Sequence, residues 1–411
     1  MLSISAISFL HLALVFPRIS SSTTKEPKVQ GPSQEIFKLH HPTWNLGLHL
    51  YRSLRINTSQ TNTFISPLTL TNSLLGLVEG AKESTAGQFY DYPKLNKNEL
   101  EKALTRELKA VQEYNKTSFI MHSSSALFSK EAPELETSFL EKLQTLFGVQ
   151  HVAFENAPKQ TDLEKLQSWA KSGMGGKETA VLKQPLDIKP GIMILANVLR
   201  FKGIWDQGFY HEEKDLRSFL GTKYTKVLMM HKSGVYHHYE DIKNMVQVLE
   251  LGLFGGKASV VLLLPFHVEG LARLERLLTL DQLETWLGKL NSTSMAISLP
   301  RVNISSAVSL QKHLSALGLV DAQDETSADF SSASSQRQGN HLGAVLQWTT
   351  LELAPESHVN GSKPEEEDVK QPKIFYADHS FIILVKDNSS GALLLMGALD
   401  HTDGPSVHDE L

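Results

Sequence analysis

The chain of 411 residues contains no cysteine, and that absence constrains it more than any motif does. No disulfide framework, thiolate-held zinc or iron–sulfur site, or thiol nucleophile is open to it. The fold has to be held by burial. With 41 % hydrophobic residues the chain can bury a large core, as one mixed domain or as two or three smaller ones. The 26 Gly and 16 Pro exclude a collagenous or low-complexity chain. Charge removes another class. Forty Lys and Arg against 45 Asp and Glu, with no long basic run and no basic stripe interleaved with aromatics, disfavour nucleic-acid binding.

Both ends read as addresses. An apolar segment, Ile7 to Phe16, is followed by Pro17 and the small residues Ser20 to Ser22. This is the pattern of a secretory signal peptide over residues 1–20, and it is too short to span a membrane. A core strand is the alternative, which His11 and the polar linker 21–34 weaken. The polar tail 401–411 ends in His408, Asp409, Glu410 and Leu411. HDEL is an endoplasmic-reticulum retention signal read by a retrieval receptor. The expectation is a soluble monomer of the ER lumen, not inserted in a membrane. Six Asn-x-Ser/Thr sequons, at Asn57, Asn115, Asn291, Asn303, Asn360 and Asn388, are glycosylation candidates for that compartment. A thiol-free chain is also indifferent to its disulfide exchange.

Between the ends no repeat and no composition break marks a domain boundary. Leu271, Leu274, Leu277 and Leu278 recur at helical spacing, and Thr279-x-x-Gln282 opens a second helix carrying Leu283, Trp286 and Leu287. The apolar runs Ser259 to Pro265 and Phe381 to Val385 read as buried strands. The second leads through Asp387 to Gly391 into Ala392 to Met396, a C-terminal hairpin. Strands and helices that do not alternate as βαβ units predict an α+β fold. Between the strand-like Val345–Leu353 and Phe381 lies a long polar stretch with Pro355, Pro364, Pro372 and the acidic run Glu365–Asp368, read as an exposed loop, functional or merely disordered.

A catalytic constellation is missing. There is no Gly-x-Ser-x-Gly elbow, no His-Glu-x-x-His zinc motif and no Gly-x-Gly-x-x-Gly. Gly173 to Lys177 is a turn rather than a phosphate loop, because the lysine spacing is wrong. His237 and His238 would point to opposite faces of a strand, which argues against a shared metal. No enzyme activity, metal or cofactor is expected. The 17 histidines could still answer acidification between secretory compartments.

The segment Phe375 to Val385, followed by Gly391 and Leu393 to Gly397, resembles the signature of the serpin family. Asn62-x-Phe-x-Ser-Pro67, Ser168-Trp169-Ala170 with Gly176-Lys177, Asn197 with Phe201-Lys202-Gly203 and Trp205, and Met229-Met230 with Gly234 are similar to serpin motifs in serpin order. The resemblance implies a single domain over residues 35–400, with three β-sheets, a shell of helices and an exposed reactive-centre-like loop near 350–372. An inhibitory serpin inserts its cleaved loop as a central strand. Pro355 and Pro364 lack the N–H such a strand must donate, and Glu365–Asp368 would bury unpaired charge. Gln347 stands where serpins usually carry a histidine bonded to the asparagine matching Asn197.

Within the family, Leu264 to Leu278, Ala296 to Pro300 with Leu310 to Leu314, and Pro372 to His379 are similar to the non-inhibitory, ER-retained collagen chaperones. That resemblance implies binding of folded procollagen triple helix at Gly-Xaa-Arg triplets. Asp378 would take the arginine, Tyr376 and Ile374 would lie against the rod, and Arg217 would border the site and orient the carboxylate. Period two sets Ile374, Tyr376 and Asp378 on one strand face, and a carboxylate distinguishes Arg from Lys by two parallel hydrogen bonds. Release would follow protonation of His379, His267, His211 or His231. Two departures stand out: Phe266 replaces a second histidine beside His267, and Ser380 replaces a proline. A retained protease inhibitor and a paralogue that has lost its ligand are the competing readings.

Overall fold

The computed structural model describes residues 39–56, 62–91, 116–130, 134–154, 161–182, 192–334, 339–357 and 370–406. The signal-peptide stretch, the polar linker, HDEL, Asn57, Asn115, Asn360 and most of the polar loop, Pro364 and the acidic run included, lie outside the described residues. Phe37–Leu411 forms one compact unit.

The first half runs α1 (Pro42–Ile56), β1 (Thr63–Ile65), α2 (Pro67–Val78), α3 (Glu83–Asp91), β2 (Phe119–Ser129), α4 (Thr137–Phe147), β3 (Val149–Ala153), α5 (Asp162–Gly173) and β4 (Ile192–Gly203). Local chemistry sets these boundaries. Ser66 caps α2 by accepting from Thr69 N, with Pro67 in the first turn, and α5 opens on a reciprocal capping box of Thr161 and Glu164. The Gly-rich segment after α5 is a turn as expected, with Gly175 and Gly176 at φ 72° and 78°.

The second half runs β5 (Tyr210–Leu220), β6 (Tyr224–Asp241), β7 (Val246–Gly252), β8 (Ala258–Pro265), α6 (Leu271–Leu277), α7 (Leu280–Gly288), β9 (Asn291–Pro300), β10 (Val302–Ser309), α8 (Gln311–Ala316), β11 (His341–Leu353), β12 (Lys373–Tyr376), β13 (Phe381–Asp387) and β14 (Leu393–Leu399). The predicted helices stand, with Thr279 Oγ1 accepting from Gln282 N at the start of α7. The apolar runs are β8 and β13, buried at nearly every residue, and β13 turns back into β14. Gly397 is required there, since a Cβ would sit 2.3 Å from Thr63 O where β1 pairs with β14.

Helices and sheets are mixed without regular βαβ order, the α+β class expected. Among the described residues the strands form two hydrogen-bonded ladders, the larger of which runs two of the three expected sheets together. The smaller has the order β10-β11-β4-β2-β3, and the larger β1-β14-β13-β8-β7-β6-β9-β12 with β5 against β6. The reason is β6, 18 residues long. Its first part pairs with β5, its last five residues with β7, and most of its length with β9. One strand thus joins what would otherwise be two sheets. The β7–β8–β13–β14 half is enclosed in the main core, while the β5–β6–β9–β12 half keeps an open face.

Candidate functional site

The open face is built by register. β12 pairs in parallel with β9, and β9 runs antiparallel to β6. Tyr376 therefore lies opposite Ser298, Ser298 opposite His231, and His231 opposite Tyr210. One row crosses four strands. Alternation along β12 and the residues after it is clean: Phe375, Ala377 and His379 are buried, while Ile374, Tyr376 and Asp378 face out. Ile374 is 68 % exposed, a large apolar side chain open on the outward face of edge strand β12. Asp378 lies two residues beyond β12, held extended because its carbonyl accepts from Leu220 N at 2.7 Å.

Two carboxylates organise the charges. Asp378 Oδ1 lies 2.8 Å from His379 Nδ1, and the other ring nitrogen, Nε2, lies 2.8 Å from the carbonyl of Pro265. Both neighbours of the imidazole are acceptors, so only its doubly protonated form donates to both. Asp215 Oδ1 takes Arg217 Nε at 2.7 Å, and its Oδ2 meets His231 Nε2 at 2.6 Å. His231 Nδ1 is 2.8 Å from Ser298 Oγ. The His231 hydrogen bond, aided by Arg217, holds the Asp215 carboxyl below the usual carboxylate range. Burial raises the Tyr376 phenol against the pull of Arg217, with Asp378 and Asp215 reinforcing the rise.

Arg217 is thus at the border of the site, but its hydrogen bond goes to Asp215 and not to Asp378. His379 is the side chain bonded to Asp378. Asp215 and Ser298 were not singled out from sequence. Asp215-x-Arg217 carries a period-two signal, whereas Ser298 joins only through register. His211 is exposed, with Nδ1 3.3 Å from Phe209 O, and His267 is exposed at the start of a short turn after β8. Neither touches Asp378. His237 is exposed and His238 buried, opposite faces as expected. Among the described residues no cluster of three His, Cys, Asp or Glu could hold a metal. Of the described sequons, Asn291, Asn303 and Asn388 are exposed, with Nδ2 of Asn291 and of Asn388 bonded to the carbonyls of Lys289 and Gly256.

The family description Serpin (serine protease inhibitor) matches residues 42–401. The chain belongs to the serpin family. Serpin H1 of Rattus norvegicus is 34 % identical over 373 residues, covering 89 % of this serpin and 88 % of that one. The leukocyte elastase inhibitor of Equus caballus is 27 % identical over 378 residues, covering 86 % and 96 %. The structure of uncleaved ovalbumin matches with a TM-score of 0.77 at 22 % identity, over 88 % of this serpin and 99 % of ovalbumin, which shows the shared fold.

The serpin's loop departs from β11 in a pinned state. β11 pairs in parallel with β4 from His341 to Glu352, so the centre of the smaller sheet is closed. Glu352 is held by Arg200 at 3.0 Å and Lys202 at 2.8 Å. The next carbonyls are also used, Ala354 O by Trp205 Nε1 and Pro355 O by Phe209 N. Gln347 does not bond Asn197, its register partner. Its Oε1 accepts from Ser66 N at 2.8 Å and its Nε2 donates to Ser66 O and Thr69 Oγ1, while Asn197 Oδ1 accepts from Ser125 Oγ. Asn197 Nδ2 is buried without a partner.

Proposed function

We propose that this serpin is a non-inhibitory chaperone of the ER lumen that binds folded procollagen triple helix at Gly-Xaa-Arg triplets, with Asp378 as the arginine's partner. The observation that carries the reading is the outward face formed by Ile374, Tyr376 and Asp378, inside the segment Pro372 to His379 that resembles the collagen chaperones. The Asp378 side chain is 32 % exposed, open enough to meet a guanidinium yet sheltered enough for the pair to outweigh a fully solvated one. Ile374 and Tyr376 offer apolar surface to a rod that is already rigid, so little ordering entropy is lost on binding. A protein that binds only the folded helix stabilises it by mass action. Higher identity to Serpin H1 than to leukocyte elastase inhibitor supports a serpin of the first kind.

An acid release would use the same geometry. Protonated His379 donates from Nδ1 to Asp378 Oδ1 and carries a positive charge, and so competes with the incoming guanidinium. Binding then falls as pH falls. The HDEL tail would return the emptied protein through the retrieval receptor. Against inhibition stand the prolines of the loop and its acidic run, which a central strand would have to take in.

The test is binding of the purified protein to a triple-helical peptide carrying one Gly-Xaa-Arg triplet, beside its Arg-to-Lys twin. Saturable binding to the first and at least tenfold weaker binding to the second is expected, since a bidentate pair contributes roughly 1.5–3 kcal/mol. Equal binding to both, or an SDS-stable complex with a serine protease, would overturn the reading.

A further inference from the structure

The cavity farthest from explanation lies away from the open face. It is a trough of about 720 Å³ between the first residues of β10, the start of β6, the turn after α5 and the C-terminal segment 401–405. That volume suits a single small molecule. Its apolar wall includes Val227, Leu228, Val302 and Ile304. Val181 and Leu216, also lining it, are 67 % and 51 % exposed, large apolar side chains left open at the trough.

Three polar side chains of the same lining have hydrogen-bonding capacity left over. Arg301 Nη1, Ser306 Oγ and His401 Nδ1 are buried with no hydrogen-bond partner. Such groups ordinarily find one. The nearest anion to Arg301 is Glu213, at 3.6 Å, too long for a hydrogen bond, and the Glu213 side chain is 83 % exposed. The carboxylates of the lining itself do not serve Arg301 either. Glu178 bonds Lys171, and Asp403 is exposed beside His401. Arg301 lies just before β10 and Ser306 within it. A partly buried cation beside an apolar wall in a trough of this volume fits a ligand with an anionic head and a long apolar body.

We propose that this trough is a binding site for a monomeric anionic amphiphile, a long-chain carboxylate, whose head meets the Arg301 guanidinium while its body covers the apolar wall. Arg301 turns towards the head in exchange for a weak, solvent-screened ion pair with Glu213. Ser306 and His401 are within the same trough for a second polar group or for a water at the far end.

Calorimetric titration of the purified protein with oleate, beside oleyl alcohol of the same chain, tests the site. Saturable binding of oleate is expected, with oleyl alcohol at least about tenfold weaker, the scale of one charge-assisted hydrogen bond. Arg301→Met should weaken oleate by a similar factor, and Glu213→Gln should strengthen it, which a merely structural arginine would not do. Asp378→Asn should leave oleate binding unchanged, separating this trough from the sheet face. Asn303 also lines the trough, so the titration is repeated on Asn303→Gln protein, and binding by either preparation supports the site. No saturable binding by either, or equal binding of oleate and oleyl alcohol, or an Arg301→Met protein that melts normally and binds oleate as before, would overturn it.

Discussion

Gln347 shows how a single buried amide can replace an expected partner. It satisfies both backbone groups of Ser66 and the hydroxyl of Thr69 at the start of α2. Replacing it with leucine would strand Ser66 N in a fully buried site, while Ser66 O keeps Leu70 N at 3.2 Å. Gln347→Leu should lower the free energy of unfolding by about 3 kcal/mol, the scale of stranded buried polar groups, read from urea unfolding. Asp324 gives a pH signature. Hydroxyl and backbone donors of Thr326 and Ser327 lower its carboxyl from 3.8 to about 2. A depressed folded value means its contribution is complete above the unfolded value and is lost as pH falls from about 4 towards 2. An NMR titration should place its midpoint near 2, and Asp324→Asn should remove that part of the acid dependence. The sequence showed Asp378 and His379 side by side, and the structure has them bonded. It could not show that Arg217 would turn to Asp215, since which carboxylate a surface arginine meets depends on strand twist and bulge, here the register shift between His211 and Leu216.

At the scale of elements, legibility followed hydrophobic pattern. β8 and β13 were visible because strands buried on both faces read as unbroken apolar runs. α7 was visible through its cap, and Thr279→Ala should cost it about 1 kcal/mol, measured as a shift in the thermal midpoint. β6 was hidden. Its 18 residues mix Lys, His, Tyr and Gly because one end lies under the enclosed half of the sheet and the other under the open face. No single period describes a strand whose surroundings change along its length. The row Tyr210–His231–Ser298–Tyr376 was invisible for a related reason. It is set by the register of four strands that are distant in sequence, and pairing register is a tertiary property.

The whole molecule bears on whether the loop can enter the sheet. In this serpin β4 and β11 are zipped together, and the chain leaving β11 is tied by Glu352, Ala354 and Pro355 to β4 and the segment after it. Insertion would break the central ladder, release those ties and place two prolines and an acidic run in a core strand. Proteolytic nicking within 358–369 should therefore leave the melting temperature unchanged within about 3 °C, well under the shift that a whole new strand's hydrogen bonds and burial would bring. A large rise in thermal stability after cleavage would show that the loop inserts.

The collagen reading itself rests on one carboxylate, and the most direct test compares wild-type protein with Asp378→Asn on the Gly-Xaa-Arg triple-helical peptide at neutral pH and at about pH 6. Asparagine keeps the shape and removes the charge. Wild-type protein should bind at neutral pH and lose affinity at the lower pH, while Asp378→Asn, folded and with an unchanged melting temperature, should bind weakly at both. An Asp378→Asn protein that binds as tightly as wild type would contradict the assignment of this face as the collagen site.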